Sequence, residues 1–297
     1  MTVRAEQLSP VKQEAYRRLR ARAGGPRDPL VPLREGGGTT GLVLVHPVGG
    51  ALLCYVPLLQ RLPADTAVVG FAMEEADEQP PADGRIARLA RRYLTALAAR
   101  PGPPGHWLYA GWSFGGTVAY EMSRLTGPGS AAVLIDSDPH GRDGPDEPAE
   151  PNGSGRPDEA TVRWWFVDDL ARLAGVPRST VDAVRAARRP ADPVAALLDR
   201  LGLQLELTEA ELADRYRVFA ANTQALAAYR PGRADAAVTW VRSPRPAGAP
   251  DPWRPYCPGL RVREVPGTDH YTLLAADAVD TVAQAVIEAL ATHPATR

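Results

Sequence analysis

Residues 111–116 of this chain are Gly-Trp-Ser-Phe-Gly-Gly, and they stand between an apolar strand pattern and a helical pattern. A nucleophile elbow requires this arrangement, because its sharp strand-to-helix turn strains the serine backbone and lifts the hydroxyl above the sheet edge. The flanking glycines keep the strand and the helix from colliding at the bend. The sequence therefore predicts that Ser113 is a nucleophile at the edge of a sheet.

Apolar strand patterns alternate with helical patterns along most of the chain. Strands are predicted over 30–33, 41–45, 67–72, 107–110, 131–135, 236–241 and 260–265. Helices are predicted over 9–23, 51–61, 85–99, 117–125, 159–174, 179–201, 208–228 and 276–291. Continuous apolar strands separated by helices indicate a parallel sheet covered on both faces, so the predicted fold class is α/β. The first two strands are expected to pair as a hairpin across a glycine-rich turn.

One long segment interrupts this alternation. Residues 139–157 are rich in Pro, Gly, Asp and Glu and predict a loop, and mostly helical sequence follows up to the strand at 236–241. An insertion at the carboxyl edge of a parallel sheet lies over the active-site crevice, which makes it a candidate lid. We therefore predict a leader helix over 1–29, a core over 30–138 and 233–297, and a loop with a helical lid over 139–232.

Composition excludes several classes of partner. The formal net charge of −1 argues against nucleic acid or an anionic membrane as the main partner. No stretch approaches the roughly 20 apolar residues of a membrane helix, and the first residues lack an apolar signal segment. We therefore expect a cytoplasmic protein, and we expect neither a metal nor a cofactor of its own.

A serine nucleophile needs a base to take its proton and an acid to orient that base. In this fold class the chain order is serine, acid, then histidine. His270 follows the last predicted strand in the loop 266–271, from which a side chain can reach back to the elbow. The four other histidines precede the serine, follow the next strand closely, or lie in the C-terminal tail: His46, His106, His140 and His293.

Three aspartates are candidates for the acid. Asp136 ends the strand that follows the elbow helix, at the same sheet edge as Ser113, and is the favoured candidate. Asp138 lies two residues further on, and Asp251 follows the next strand. Asp136 could also simply cap a turn, as aspartates often do.

A tetrahedral intermediate needs hydrogen-bond donors aimed at its oxyanion. The backbone N–H of Phe114, next to the nucleophile, is one candidate. The second is expected in the loop 46–50, which follows an early strand. We favour the N–H of Val48, with Gly49 next, and we expect His46 to pack or to cap the strand end rather than to act in catalysis.

Several separated segments together resemble the thioesterase domains that terminate nonribosomal peptide synthetases and polyketide synthases. They are, in the family's order, 46–50, 111–116, 133–137 (Val-Leu-Ile-Asp-Ser), 219–222 (Phe-Ala-Ala-Asn) with 229–231 (Tyr-Arg-Pro), and 266–271. The resemblance implies an α/β-hydrolase fold. It makes Ser113 the nucleophile, Asp136 the acid and His270 the base, with Val48 and Phe114 as oxyanion donors.

The resemblance also implies a substrate and a partner. The substrate would be an acyl, peptidyl or polyketide chain, bound as a thioester to the phosphopantetheine of a carrier protein in antibiotic-type biosynthesis. Release would proceed through an acyl-enzyme on Ser113, by hydrolysis or by cyclisation. Two alternatives stay open: an acyltransferase that uses an alcohol or amine acceptor, and a stand-alone editing thioesterase. Editing enzymes usually carry the acid one strand later, where Asp251 stands.

Aromatic residues are candidates for the substrate pocket. Trp112 adjoins the nucleophile, and Trp165 and Phe219 lie in the predicted lid. Aromatic residues at such spacings also form the core of a lid, and the sequence leaves both roles open.

Overall fold

The computed structural model describes residues 29–73, 82, 84–102, 104–139, 157–173, 176, 178–186, 209–275 and 277–292. The strands are β1 (Leu30–Arg34), β2 (Thr40–Val45), β3 (Val68–Phe71), β4 (His106–Trp112), β5 (Ala131–Ile135), β6 (Ala237–Arg242) and β7 (Arg261–Glu264). The α-helices are α1 (Val56–Leu59), α2 (Arg85–Ala98), α3 (Phe114–Thr126), α4 (Glu159–Leu173), α5 (Arg178–Ala186), α6 (Glu209–Ala228) and α7 (Val279–Thr292).

The strands form one seven-stranded sheet in the order β1-β3-β2-β4-β5-β6-β7. β1 runs antiparallel to β3, and every other pair of neighbours is parallel. The strands therefore follow the predicted pattern, and the prediction of an α/β fold is confirmed. The carboxyl ends of β4, β5, β6 and β7 lie along one edge of the sheet, where crevices for ligands form.

The predicted hairpin between the first two strands is wrong. β1 pairs with β3, with Leu30 opposite Phe71, and β2 lies between β3 and β4. Residues 42–45 of β2 are wholly buried, which suits a central strand of the sheet. Pro32 of β1 has no N–H to donate to a neighbouring strand, so β1 suits the edge of the sheet.

Apolar side chains cover both faces of the sheet. On one face Val43 and Val45 of β2 pack with residues of α2 and α3, such as Tyr93 and Val118. On the other face Leu42 and Leu44 pack with α1 and α7, including Leu58 and Val282. The alternation along β2 therefore divides one strand between two cores, as a two-faced parallel sheet requires.

A third apolar cluster belongs to α4, α5 and α6. Its buried members, which we call the lid cluster, are Val162, Phe166, Val167, Ala171, Val181, Val184 and Phe219. Val48, from the loop after β2, packs against this cluster and against the sheet core. The helices therefore rest on the segment that was predicted to carry an oxyanion donor.

Some predicted elements lie partly or wholly outside the described residues. These are the helix over 9–23 with most of the leader, most of the loop over 139–157, and the helix over 179–201 beyond Ala186. The helix predicted over 51–61 is shorter than expected: a 3₁₀ turn at Leu53–Tyr55 leads into α1, which has Pro57 in its first turn. The domain boundaries proposed from the sequence stay a prediction.

Candidate active site

Ser113 occupies the turn between β4 and α3 with φ 57° and ψ −126°. Positive φ is uncommon for a residue with a side chain and is retained only where the surrounding structure holds it. Its N–H donates to the carbonyl of Ile135 on β5 at 2.9 Å. Ser113 is partly exposed, whereas its neighbours Trp112 and Phe114 are buried. The turn therefore presents the serine side chain from an otherwise buried segment.

The glycines around the serine are required by close backbone approaches. A Cβ at Gly111 would lie 2.2 Å from the carbonyl carbon of Gly115, and one at Gly115 would lie 2.3 Å from the carbonyl oxygen of Val45. A Cβ at Gly116 would lie 2.5 Å from that of Ser137. The motif thus lets α3 begin directly against the ends of β2, β4 and β5.

His270 is hydrogen-bonded to Asp136, and the two side chains come from loops 134 residues apart in the chain. Nδ1 of the imidazole lies 2.7 Å from Oδ2 of the carboxylate, which is almost fully buried. Because Asp136 directly follows β5, the pair stands at the same sheet edge as Ser113. A carboxylate on Nδ1 fixes the tautomer and leaves Nε2 to act on another group.

Ser243, which sequence reasoning missed, holds the other oxygen of this carboxylate. Its N–H and its hydroxyl donate to Oδ1 of Asp136 at 2.8 and 2.9 Å. Asp136 itself has φ 43°, and its N–H donates to Val241 of β6 at 2.7 Å. The signal for Ser243 in the sequence was its position two residues after the predicted strand 236–241. The carboxylate is therefore oriented from two sides.

The two other candidate acids engage arginines. Asp138 forms an ion pair with Arg245 at 3.2 Å, and Asp251 forms one with Arg254 at 2.9 Å. Of the three aspartates, the structure brings Asp136 to His270.

Trp112 supports the loop that carries His270. Its indole N–H donates to the carbonyl of His270 at 3.0 Å, and the two rings lie 4.9 Å apart. Only 4% of Trp112 is exposed. These contacts place Trp112 behind the imidazole, and a role in lining the substrate pocket stays a prediction.

His46 is buried and structurally engaged. Nδ1 donates to the carbonyl of Pro47 at 2.7 Å, so Nε2 accepts from the hydroxyl of Tyr93 at 2.8 Å. Burial lowers the pKa of His46 to about 4, so the ring is neutral at pH 7. The ring stacks on Phe114 with centroids 5.7 Å apart. His46 thereby joins the loop after β2 to the first turn of α3.

The two predicted oxyanion donors lie on these joined segments. Phe114 is the first residue of α3, where backbone N–H groups have no partner within the helix. Val48 lies in a turn in which the N–H of Gly50 donates to the carbonyl of Pro47. The carbonyl of Val48 accepts a hydrogen bond from Nδ2 of Asn222 on α6 at 2.9 Å. Helix α6 therefore holds the turn that contains Val48.

The lid aromatics pack chiefly against one another. Phe219 is 4% exposed, and its ring lies 5.3 Å from that of Phe166. Trp165 is half-buried against the same lid cluster. The structure thus puts Phe219 in the core of the lid, and pocket roles for both residues stay predictions.

Asp169 is a buried acid that sequence reasoning missed. It lies on α4 with 8% exposure and accepts a hydrogen bond from the hydroxyl of Tyr271 at 3.4 Å. Burial raises the pKa of Asp169 to about 7; the bond from Tyr271 lowers it, and the nearby Asp168 raises it further. Nothing in the sequence around Asp169 marked it, since a helix with paired aspartates is usually solvated.

Metal-binding clusters and membrane-spanning helices are both absent from the described residues. No group of three or more His, Cys, Asp or Glu side chains in them could hold a metal ion. None of the helices described is both long and apolar enough to cross a bilayer.

Known proteins resemble this chain in sequence. Residues 40–150 match the family model of the thioesterase domain. Over 118 residues the chain is 32% identical to the nonribosomal peptide synthetase btyA of Aspergillus terreus, a match that covers 39% of this chain and 13% of that one. The chain spans 12% to 13% of the length of the first curated relatives it matches.

Solved structures share the fold. A four-domain nonribosomal peptide synthetase, holo-AB3403 bound to AMP and glycine, matches with a TM-score of 0.68 at 23% identity, over 91% of this chain and 21% of that one. The NocB thioesterase domain, in covalent complex with a fluorophosphonate nocardicin G analog, matches with a TM-score of 0.53 at 25% identity, over 86% of this chain and 96% of that one. The predicted α/β-hydrolase architecture is therefore confirmed.

The elbow geometry predicts that Gly115→Ala destabilises the fold. The new Cβ would meet the carbonyl oxygens of Val45 and His46, which cannot move without disturbing β2, so we expect a loss of about 3 kcal/mol in unfolding free energy. Urea denaturation followed by circular dichroism measures it. Gly105→Ala is the control, because its Cβ would meet nothing within 4 Å. Equal stability of the two variants would contradict this account.

The buried acid predicts a pH-dependent stability. The pKa of Asp169 is raised above the ordinary value of 3.8, so its contribution to stability is present at low pH and is lost as the pH rises towards about 7. Cys54, Asp168, Arg172 and Tyr271 surround it. Asp169→Asn should therefore raise the melting temperature more at about pH 8 than at about pH 5.

Differential scanning fluorimetry across this range tests the prediction. Asp280→Asn, which removes a mostly exposed carboxylate, is the control and should give a small difference. If the difference in melting temperature between Asp169→Asn and wild type does not change with pH, the pKa of Asp169 is not raised towards 7.

Proposed function

We propose that the chain, whose residues 40–150 match the thioesterase domain, releases an acyl or peptidyl chain from a carrier-protein thioester. The observation that carries this proposal is the hydrogen bond between His270 and Asp136, at the sheet edge where the strained turn presents Ser113. A serine, a histidine and an acid in this arrangement can activate a hydroxyl for attack on a carbonyl.

The proposed reaction has two half-reactions. In the first, Nε2 of His270 takes the proton of Ser113, whose oxygen attacks the thioester carbonyl; the thiol of phosphopantetheine leaves with that proton, and an ester forms on Ser113. In the second, His270 deprotonates the acceptor, which attacks the ester and restores the serine. Asp136 stabilises the imidazolium that forms each time. Water as acceptor gives an acid, and a hydroxyl or amine of the chain gives a ring.

The oxyanion of each tetrahedral intermediate would be held by the N–H groups of Val48 and Phe114. The stack of His46 on Phe114 and the bond from Asn222 to Val48 support their two segments. Donors that are fixed before the reaction need no reorganisation in the transition state, which is why their rigidity matters.

The covalent complex of the NocB domain supports an acyl-enzyme. A fluorophosphonate has an electrophilic phosphorus that an activated nucleophile attacks, and the resulting adduct imitates a tetrahedral intermediate. Transferred to this chain, the chemistry requires an activated nucleophile, and Ser113 with His270 is the pair that we propose.

The position of the acid favours a chain-terminating enzyme over an editing one. The acid bonded to His270 follows β5, whereas the place directly after β6 holds Ser243, which donates to that acid. Asp251, the acid expected of an editing enzyme, forms an ion pair with Arg254. We therefore propose release of a finished chain, with a carrier protein as partner.

The mechanism predicts that Ser113→Ala cannot be acylated. Incubation of wild type with synthetic acyl thioesters should add the mass of the acyl group, and the variant should stay unmodified because it lacks the attacking oxygen. Intact-protein mass spectrometry measures both. Ser130→Ala removes a buried hydroxyl next to the opposite end of β5 and should still be acylated. An acyl adduct on the Ser113 variant would end the hypothesis.

Asp136→Asn should lower kcat on the order of 10⁴-fold, because an amide cannot stabilise the imidazolium. Asp251→Asn should be nearly silent. Ser243→Ala removes one hydrogen bond to the carboxylate and should lower kcat about tenfold with little change in KM. Steady-state thioester hydrolysis measures all three. Should Asp251→Asn be the more damaging of the two aspartate variants, the acid would have to be reassigned.

A further inference from the structure

Asp169 has no role in the chemistry above, although it is buried at the same site. Tyr271, at 3.4 Å, is its hydrogen-bond donor among the described residues. The adjacent Asp168, in contrast, is paired with Arg172 at 3.0 Å. A buried carboxylate normally carries several donors or a cation, and Asp169 has one long bond from a neutral group.

Asp169 contacts Tyr271 and lies close to Gly49, which belong to the two segments of the candidate site that carry His270 and Val48. Oδ2 would lie 3.7 Å from a Cβ at Gly49, the residue after the proposed oxyanion donor Val48. Oδ1 meets Tyr271, the residue after the proposed base His270. Because residue 49 is a glycine, no side chain at that position stands between the loop and this carboxylate.

A further buried acceptor lies on α6, whose residue Asn222 is bonded to the loop that contains Val48 and Gly49. Asn222 is fully buried, and while its Nδ2 donates to Val48, its Oδ1 has no hydrogen-bond partner among the described residues. Arg172 is the cation nearest in sequence to Asp169, and it is engaged elsewhere. It pairs with Asp168, covers the ring of Tyr271 at 4.9 Å and approaches Asp269 at 4.0 Å.

We propose that Asp169 binds a primary ammonium group of the acyl chain and so selects amino-bearing substrates. This inference rests on the proposed function, since it concerns the acyl chain delivered to Ser113. A buried carboxylate with one neutral donor is best satisfied by a donor that also brings a positive charge, and Asn222, which bonds the same loop, offers a further acceptor. An amide N–H would leave the negative charge uncompensated.

The proposal also fixes a dependence on pH. The pKa of Asp169 near 7 means that the empty site is partly protonated at neutral pH, and a bound ammonium favours the ionised form. Asp168, Arg172, Tyr271 and Cys54 are the charged or titratable groups around it. Selectivity for the amino substrate should therefore be greater at about pH 8 than at about pH 6.

The test uses the full-length protein and paired N-acetylcysteamine thioesters. One member of each pair carries a primary amine on the α, β or ε carbon of the acyl chain, and the other has a methyl group in its place. Acylation of Ser113 and steady-state turnover are measured for wild type, Asp169→Asn and Asp168→Asn. The last variant makes the same chemical change on the neighbouring residue.

We expect wild type to prefer the amine by about tenfold or more in kcat/KM for at least one pair, mainly through KM. Asp169→Asn should reduce this preference to within about twofold, and Asp168→Asn should keep it. Equal rates for amine and methyl in every pair, or a preference that Asp169→Asn retains, would overturn the proposal. If both members of each pair acylate Ser113 at equal rates, the proposal for Asp169 fails and the thioesterase function is still supported. If no thioester acylates Ser113, the proposed thioesterase function itself fails.

Discussion

The buried carboxylate of Asp136 is the constraint around which the candidate site is built. One oxygen meets the imidazole of His270, and the other receives two hydrogen bonds from Ser243. The ends of β5 and β6 and the loop after β7 therefore meet at a single side chain. A carboxylate with this many hydrogen bonds is held in one orientation, which an imidazole needs from its partner.

Backbone strain coincides with this chemistry. Ser113 and Asp136 are the residues other than glycine that have positive φ in the described part of the chain, and they end adjacent parallel strands. Such conformations cost free energy and persist only where packing imposes them. Here the glycines of the elbow let α3 pack directly against the strand ends. This packing, and not the catalytic contacts, maintains the strained backbone conformation.

Much of the fold followed from the sequence because each strand is a continuous apolar run between helical patterns. The pairing of β1 did not, since two strands joined by glycines suggest a hairpin and only burial of the whole sheet decides their order. The proposed acid and base lie in loops that follow strands, where the topology of a parallel sheet brings them to the same edge. The position of Ser243 after a strand was visible in the sequence, but its bond to Asp136 was not. The contacts of Asp169 and Asn222 could not be predicted either, because they join elements distant in the chain.

The role of Phe219 likewise could not be decided from the sequence. An aromatic side chain near a site can face either the substrate or its own helix bundle, and the helical pattern does not distinguish them. In the structure Phe219 meets Phe166 within the lid cluster. Selectivity in this chain is therefore better sought in the polar side chains that the lid helices turn toward the loop after β2.

The hydrogen bond from Asn222 to the carbonyl of Val48 has a mechanical consequence. The bond joins α6 to the turn that contains Val48, the proposed oxyanion donor. A movement of α6 is therefore coupled to the position of this turn. If α6 is part of a lid, a movement of α6 that admits a bulky peptide would break this hydrogen bond, and its return would restore the bond. Opening of the lid and a fixed oxyanion site would then exclude one another.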